Sequence, residues 1–376
     1  MWYLQGKTFL IIAVFSLTVA LFRRILPRAA INRLLPVTEL AVLAYLSPRL
    51  AALYGIYIAV GLFCTRILFH ARSRALFLLF SVLAAIPFFV SRLDSFGLQA
   101  PPWFESVGIA FNMLKVIDAY YYVYYSGERV HPLTYVNFML FLPVFTAGPI
   151  FRYRDFKKTY ESPMPFHLDE FSYDAKRIIR GLFKKVVAAA LLLNILNLLV
   201  TFQSRWYFSF MTVICSYFLL YFDLSGYSDI AIAFGRIAGY DVPENFKRPM
   251  LSPTFTQFWR SWHATLSDWI REHIYVVVAK KRLSRGVSAV IALLTMVVMS
   301  LWHGFNMAYL LAGIYNGLLL MTENLLSMTT VNIRKTKKSI FFIRCFSVNF
   351  LFAINTLVFT LPEDKILSVL RGFLKL

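Results

Sequence analysis

The sequence predicts an all-α polytopic membrane protein. Three observations carry that prediction. Fifty-nine per cent of the 376 residues are hydrophobic, against roughly 45–50% in a soluble domain. Mean hydropathy is +0.62. Apolar runs long enough to cross a bilayer recur along the chain, and the basic residues fall in clusters between them.

The runs come in order. The first, 8–22, has Lys7 ahead of it and Arg23, Arg24, Arg28 and Arg33 behind it. With no small-residue cleavage site it reads as a retained span, with the N-terminus outside. Arg72 and Arg74 also belong inside, so segment 36–47 must cross back, turning at Pro48. Runs 50–69, 75–91 and 104–125 follow. Segment 134–150 lies between Arg129 and the cluster Arg152, Arg154, Lys157, Lys158, both assigned inside. Its Pro143 and Gly148-Pro149 breaks suit a re-entrant piece that points to a cavity. The polar stretch 151–180 belongs on the cytoplasmic surface, and Lys176 to Lys185 resembles an interfacial helix feeding the run 182–202. Then come 206–223, a broken piece at 226–240, and runs 287–303, 305–326 and 340–361. The total is about ten or eleven crossings. No tandem repeat or linker interrupts residues 1–376, so a single integral domain is expected.

Lysine and arginine number 39 against 19 acidic residues, a formal charge of +20. Clustered at run ends, these charges set topology and face anionic headgroups, which makes nucleic acid a poor partner and an acidic cytoplasmic protein a reasonable one. Cys64, Cys215 and Cys345 sit far apart inside apolar stretches, and no Cys-x-x-Cys pair points to a disulfide framework or a thiolate metal site.

Two histidines stand out. His303 ends the apolar run from Val287, in Ser300-Leu301-Trp302-His303-Gly304. An imidazole at membrane depth is costly unless it has a role. His263 lies in Phe258-Trp259-Arg260-Ser261-Trp262-His263, beside a stripe at helical spacing formed by Trp259, Trp262, Leu266, Trp269 or Ile270, and His273. The plain alternative is ordinary packing between helices, and it suits Trp259 and Trp269 best. Two such histidines together favour a buried acid/base site. A metal site recruiting His263, His273 and His303 lacks the short ligand spacing such sites show, so no metal is expected. A transporter or flippase should show two similarly interrupted halves, and none is evident.

The order of the surrounding motifs is more specific than any one of them. Phe141-Leu142-Pro143, Ala147-Gly148-Pro149-Ile150, Ser225-Gly226-Tyr227-Ser228-Asp229, Pro243-Glu244-Asn245-Phe246, Phe258-Trp259-Arg260 with Trp262-His263, Leu266-Ser267, Trp269 and Arg271, then Trp302-His303-Gly304, closely resemble the membrane-bound O-acyltransferase (MBOAT) family. The likeness is to its bacterial branch of teichoic acid D-alanyltransferases and alginate O-acetyltransferases, and is strongest over residues 134–325. The resemblance implies a ring-like helical fold with a central tunnel. It makes His303 the catalytic base and His263 the second site histidine, with Ser228, Asp229, Asn245, Trp259, Arg260 and Trp302 as candidates for the substrate tunnel. It also implies an acyl thioester on the cytoplasmic side and a glycopolymer hydroxyl outside the cell membrane, with no bound cofactor.

Within that branch, Ile274-Tyr275 is followed by Val276-Val277-Val278-Ala279-Lys280-Lys281-Arg282, not by a proline and paired glycines. The segment Asn355 to Pro362 also lacks a Phe-Phe-Arg-Ala-like ending. Both departures favour D-alanyl over acetyl transfer. The donor implied is a phosphopantetheine thioester on an acidic acyl-carrier protein, with Arg271, Lys280, Lys281 and Arg282 as docking candidates.

Overall fold

The computed structural model describes residues 6–101, 104, 106–165, 167–202, 205–275 and 283–374. The expected docking residues Lys280, Lys281 and Arg282 lie outside the described residues. The chain divides into two compact units, Met1–Ile178 with Ile230–Pro243, and Ile179–Asp229 with Glu244–Leu376. No strand occurs among the described residues.

The first unit is built on α1 (Gly6–Ile25), α2 (Arg28–Leu46), α3 (Pro48–Ala71), α4 (Arg74–Val90), α5 (Ile109–Ser126), α6 (Pro132–Leu140) and α7 (Tyr153–Glu161). Local chemistry sets several boundaries. Ser47 caps α3 by accepting from Leu50 N at 3.1 Å, with Pro48 at the first helical position. Ser73 caps α4 in the same way, from Leu76 N at 3.4 Å. Segment 36–47 is not a separate piece: α2 runs straight through Pro36.

The expected re-entrant stretch is the packed centre of this unit. Tyr135, Phe138, Met139 and Phe145 are fully buried, so the segment packs as core. Backbone that leaves helical geometry at such depth needs internal partners, and α5 supplies them. Lys115 Nζ donates to the last carbonyls of α6, Phe138 O at 3.0 Å and Met139 O at 3.4 Å. Asn112 Nδ2 donates to Phe145 O at 3.0 Å. Asp118 Oδ2 accepts from Tyr153 N at 2.5 Å, at the start of α7. The polar residues of α5 thus serve the irregular segment beside it.

The second unit takes in α8 (Leu168–Leu182) from Ile179 onward, α9 (Ala189–Leu199), α10 (Trp206–Ile237) as far as Asp229, and α11 (Phe255–Trp259), α12 (Ala264–Ile270), α13 (Arg285–His303), α14 (Met307–Leu325), α15 (Lys338–Thr360) and α16 (Glu363–Gly372). The amphipathic stretch expected near 176–185 is the end of α8. It passes through a π-helical turn, Phe183–Ala188, into α9. The pieces 206–223 and 226–240 are one helix, α10, of 32 residues, about 48 Å long. Its polar middle is satisfied by ion pairs: Asp229 meets Lys184 at 2.8 Å and Arg180 at 3.4 Å, and Asp223 meets Lys185.

Seven described helical runs are long and apolar enough to cross a membrane: 8–25, 28–46, 48–71, 168–202, 206–237, 285–303 and 338–360. The count falls short of the expected ten or eleven for local reasons. Two windows merged into α10, Arg74–Val90 has only 17 residues, α5 carries Lys115 and Asp118, and α14, the expected run 305–326, carries Asn316, Glu323 and Asn324.

α13 and α14 form a tight antiparallel hairpin, capped at its starts by Ser284 Oγ, which accepts from Val287 N, and Asn306 Oδ1, which accepts from Tyr309 N. Gly313 and Gly317, one turn apart on α14, let the helices close. A Cβ at Gly313 would stand 2.8 Å from Val297 Cα, and one at Gly317 would stand 2.9 Å from both Leu293 Cα and Leu293 O. Small residues at this spacing allow backbones to pack directly in a membrane. Gly317→Val is expected to wedge the hairpin apart and cost about 1–3 kcal/mol, read as a lowered melting temperature in detergent. An unchanged melting temperature would show that the hairpin tolerates the wedge.

Candidate active site

The second unit holds a cavity of about 110 Å³ that both histidines line. Its walls come from α10 (Leu220, Leu224), from the α11–α12 segment (Trp259, Trp262, His263, Leu266), from the α13–α14 hairpin (Met296, Met299, Ser300, His303, Gly313, Asn316) and from α15 (Phe352, Asn355, Phe359). His263 and His303 are forty residues apart in sequence and converge here.

His303 is the last residue of α13. Its ring lies edge-on between Trp302, at 4.8 Å between centroids, and Phe359 of α15, at 5.1 Å. Tyr309 packs on the same Phe359 at 5.4 Å. Ser300, one turn earlier on α13, donates to Tyr309 O at 2.6 Å and ties the hairpin at the level of the cavity. Ring contacts from α13 and α15 therefore hold the imidazole, and Tyr309 of α14 backs Phe359.

His263 is placed by a backbone device. It sits between α11 and α12 at φ 44, ψ 46, the left-handed region that costs a non-glycine residue roughly 1–2 kcal/mol. Neighbouring bonds hold the turn there. Ala264 N donates to Asn245 O at 2.9 Å, Thr265 Oγ1 donates to Asn245 Oδ1 at 2.8 Å, and Asn245 Nδ2 reaches Ser228 Oγ at 3.2 Å. Trp262, just before it, is boxed by Phe246, Phe258 and Phe352, with ring centroids 5.2, 5.6 and 4.9 Å away. The short α11 is anchored by Glu323 of α14, which accepts from Phe255 N at 2.6 Å and Thr256 N at 2.9 Å, a carboxylate at a helix N-terminus. Strain held by so many partners is a mark of functional sites. Burial removes water from the ring and pulls the His263 pKa below its ordinary value of 6.5. The imidazole is neutral at neutral pH, and its Nδ1 has no hydrogen-bond partner outside its own residue.

The other expected site residues separate. Trp259 lines the cavity, with a buried Nε1 that has no acceptor. Trp302 packs against His303. Ser228, Asp229 and Asn245 are not among the lining residues: Asn245 and Ser228 brace the His263 turn, and Asp229 is occupied by Lys184 and Arg180. Arg260 is exposed, and Arg271 pairs with Asp268 at 2.9 Å. His273 is stacked on Trp269 at 4.1 Å and bonded to Trp269 O, away from the cavity. No described cluster of three or more His, Cys, Asp and Glu side chains is placed to hold a metal ion.

Sequence reasoning missed Asn316 and Asn355. Both are buried, both line the cavity, and both follow a largely apolar stretch of their helix, 310–315 in α14 and 350–354 in α15. A polar side chain inside an apolar run is the signal that marks them.

The family model of the membrane-bound O-acyltransferases matches residues 124–361. The probable alginate O-acetylase of Pseudomonas syringae pv. tomato is 33% identical over 232 residues, 60% of this chain and 44% of that protein. The teichoic acid D-alanyltransferase of Streptococcus thermophilus is 31% identical over 221 residues, 54% of this chain and 53% of that protein. The peptidoglycan O-acetyltransferase of Helicobacter pylori is 29% identical over 208 residues, 53% and 39% of the two chains. The chain spans about half the length of these relatives, or less. The family match covers more than half of the 376 residues and takes in His263, His303 and everything that lines their cavity, so the chain belongs to the membrane-bound O-acyltransferase family.

Proposed function

We propose that the chain is a membrane O-acyltransferase that moves D-alanyl groups from a carrier-bound thioester to hydroxyls of an extracytoplasmic cell-envelope polymer such as teichoic acid. The observation that carries the reading is the convergence of His263 and His303 on one cavity. A hydroxyl is a weak nucleophile at neutral pH and needs a base within hydrogen-bond reach. His303 takes the hydroxyl proton as the oxygen attacks the thioester carbonyl. A C–O bond forms, the C–S bond breaks, and the imidazolium returns its proton to the departing thiolate. His263, neutral and held rigidly, donates a hydrogen bond to the oxyanion as it develops. Apolar walls from Met296, Met299, Phe352 and Phe359 keep water from the thioester.

The donor is a phosphopantetheine thioester on an acidic carrier protein, which the basic groups of the chain attract. Arg271 with Lys280, Lys281 and Arg282 is the proposed dock. Acetyl transfer to an exopolysaccharide is the second reading, favoured by the relatives named alginate O-acetylases, which match at 31–33% identity. One assay separates the two. Purified chain in nanodiscs is given D-alanyl and acetyl carrier thioesters with teichoic acid or alginate as acceptor. D-alanyl ester on teichoic acid is the expected product, without added metal or ion gradient. Turnover of acetyl thioester alone would replace this reading by the second.

A further inference from the structure

The cavity has hydrogen-bond acceptors that the chain leaves unused. Asn316 of α14 is 3% exposed and Asn355 of α15 is 6% exposed. Asn316 Nδ2 donates one turn back to Ala312 O at 2.9 Å, and its Oδ1 is buried with no donor. Asn355 Oδ1 is buried with no donor either. Both side chains line the wall that also carries the two histidines. Buried polar atoms are almost always satisfied, and those that are not call for a specific explanation. Here two asparagines from two different helices line the same small space, each with an amide oxygen that no donor of the chain satisfies.

We infer that Asn316 and Asn355 recognise the α-amino group of the acyl donor, and so select an aminoacyl thioester over a simple acyl one. The inference rests on the D-alanyl reading above. An acetyl group presents only its carbonyl oxygen, an acceptor, and leaves both Oδ1 atoms unsatisfied. The proton of the attacking hydroxyl is committed to His303. An α-amino group brings two N–H donors when neutral and three when charged, enough for both amide oxygens. No described lining residue is Asp or Glu, so recognition works through amide dipoles and not through an ion pair. A free α-amino group titrates near 8, so its neutral form is within reach. A site built to hydrogen-bond an N–H rejects an analogue without one strongly, because its polar atoms stay unpaired.

The test measures donor selectivity. Wild-type chain and the variants Asn316→Leu and Asn355→Leu, near in volume to asparagine, are assayed in nanodiscs with D-alanyl-pantetheine and acetyl-pantetheine. Melting temperatures report folding. Each leucine variant is expected to lower the ratio of kcat/KM for D-alanyl over acetyl by roughly 10²-fold or more. Asn355→Asp keeps the acceptor shape and adds a negative charge beside the α-amino group, so it should raise the ratio, and it covers the case in which a leucine variant does not fold. A parallel fall with both donors would overturn the inference, since the amides would then serve the hydroxyl or the oxyanion common to both. An unchanged ratio would overturn it too. A wild-type chain that ignores D-alanyl-pantetheine but turns over the carrier-bound D-alanyl thioester leaves the functional reading standing and overturns donor selection at this cavity. If it uses neither, the functional reading itself fails, and that failure shows before any variant is made.

Discussion

Replacement of His303 by alanine is expected to reduce acyl transfer to background while the protein inserts and purifies as the wild type does. The ring ends α13 at the cavity wall and is held edge-on by Trp302 and Phe359. General base catalysis is typically worth about 10²–10⁴ in rate, and among the described residues no imidazole but His263 shares the cavity wall with it. The carbonyls at a helix C-terminus also favour the positive charge that appears when the ring takes the proton, a benefit that a base placed elsewhere would lack. Alanine leaves a gap beside Phe359, so His303→Gln serves as the control, filling much of the space without a base. Both variants should melt close to the wild type and show no turnover with the preferred donor. Near-wild-type turnover in folded His303→Gln would remove His303 from the chemistry and leave Phe359 packing as its role.

The parts of this arrangement differ in how visible they are in sequence. α3, α13 and α14 begin at Ser47, Ser284 and Asn306, where an apolar run follows a residue able to cap it, and such edges are legible because cap and run are local. α10 is not legible in that way. Ser225, Gly226, Ser228 and Asp229 look like a break in an apolar run, but Asp229 is neutralised by Lys184 and Arg180 from a segment more than forty residues earlier. A window average registers the polarity and not the partner. The same holds for Lys115 and Asp118, whose cost inside α5 is offset by the orphan carbonyls and amides of segment 132–153. At the site, His263 and His303 stand out because aromatic motifs flank them. Asn245 sits in an equally distinctive motif, yet its side chain holds the His263 turn. Asn316 and Asn355 carry no motif, and only the crossing of α14 and α15 at the cavity reveals them.

His263→Ala is expected to lower turnover by roughly 10²–10³-fold, the usual worth of one oxyanion donor, and to leave a residue of activity that His303→Ala does not. The geometry explains the difference. His263 does not move a proton in the proposed step. It supplies a neutral donor from a turn whose left-handed backbone is held in place by Asn245 and the aromatic box around Trp262. Asparagine enters the left-handed region more readily than most residues and keeps a donor. His263→Asn should therefore recover part of the lost rate, with the change in kcat and not in KM. A second readout follows from burial. The folded-state pKa of His263 is lowered, so below the ordinary value of 6.5 the unfolded chain takes up a proton that the folded chain refuses. Stability linked to this residue is fully present above pH 6.5 and is lost as the pH falls from there toward the lowered folded value. In His263→Asn that loss disappears, and the fall in melting temperature between pH 7.5 and pH 5 should be smaller than in the wild type. A variant that keeps the wild-type pH dependence of stability would mean that His263 is hydrated in the folded protein, and a rate unchanged per folded molecule would return it to a packing role.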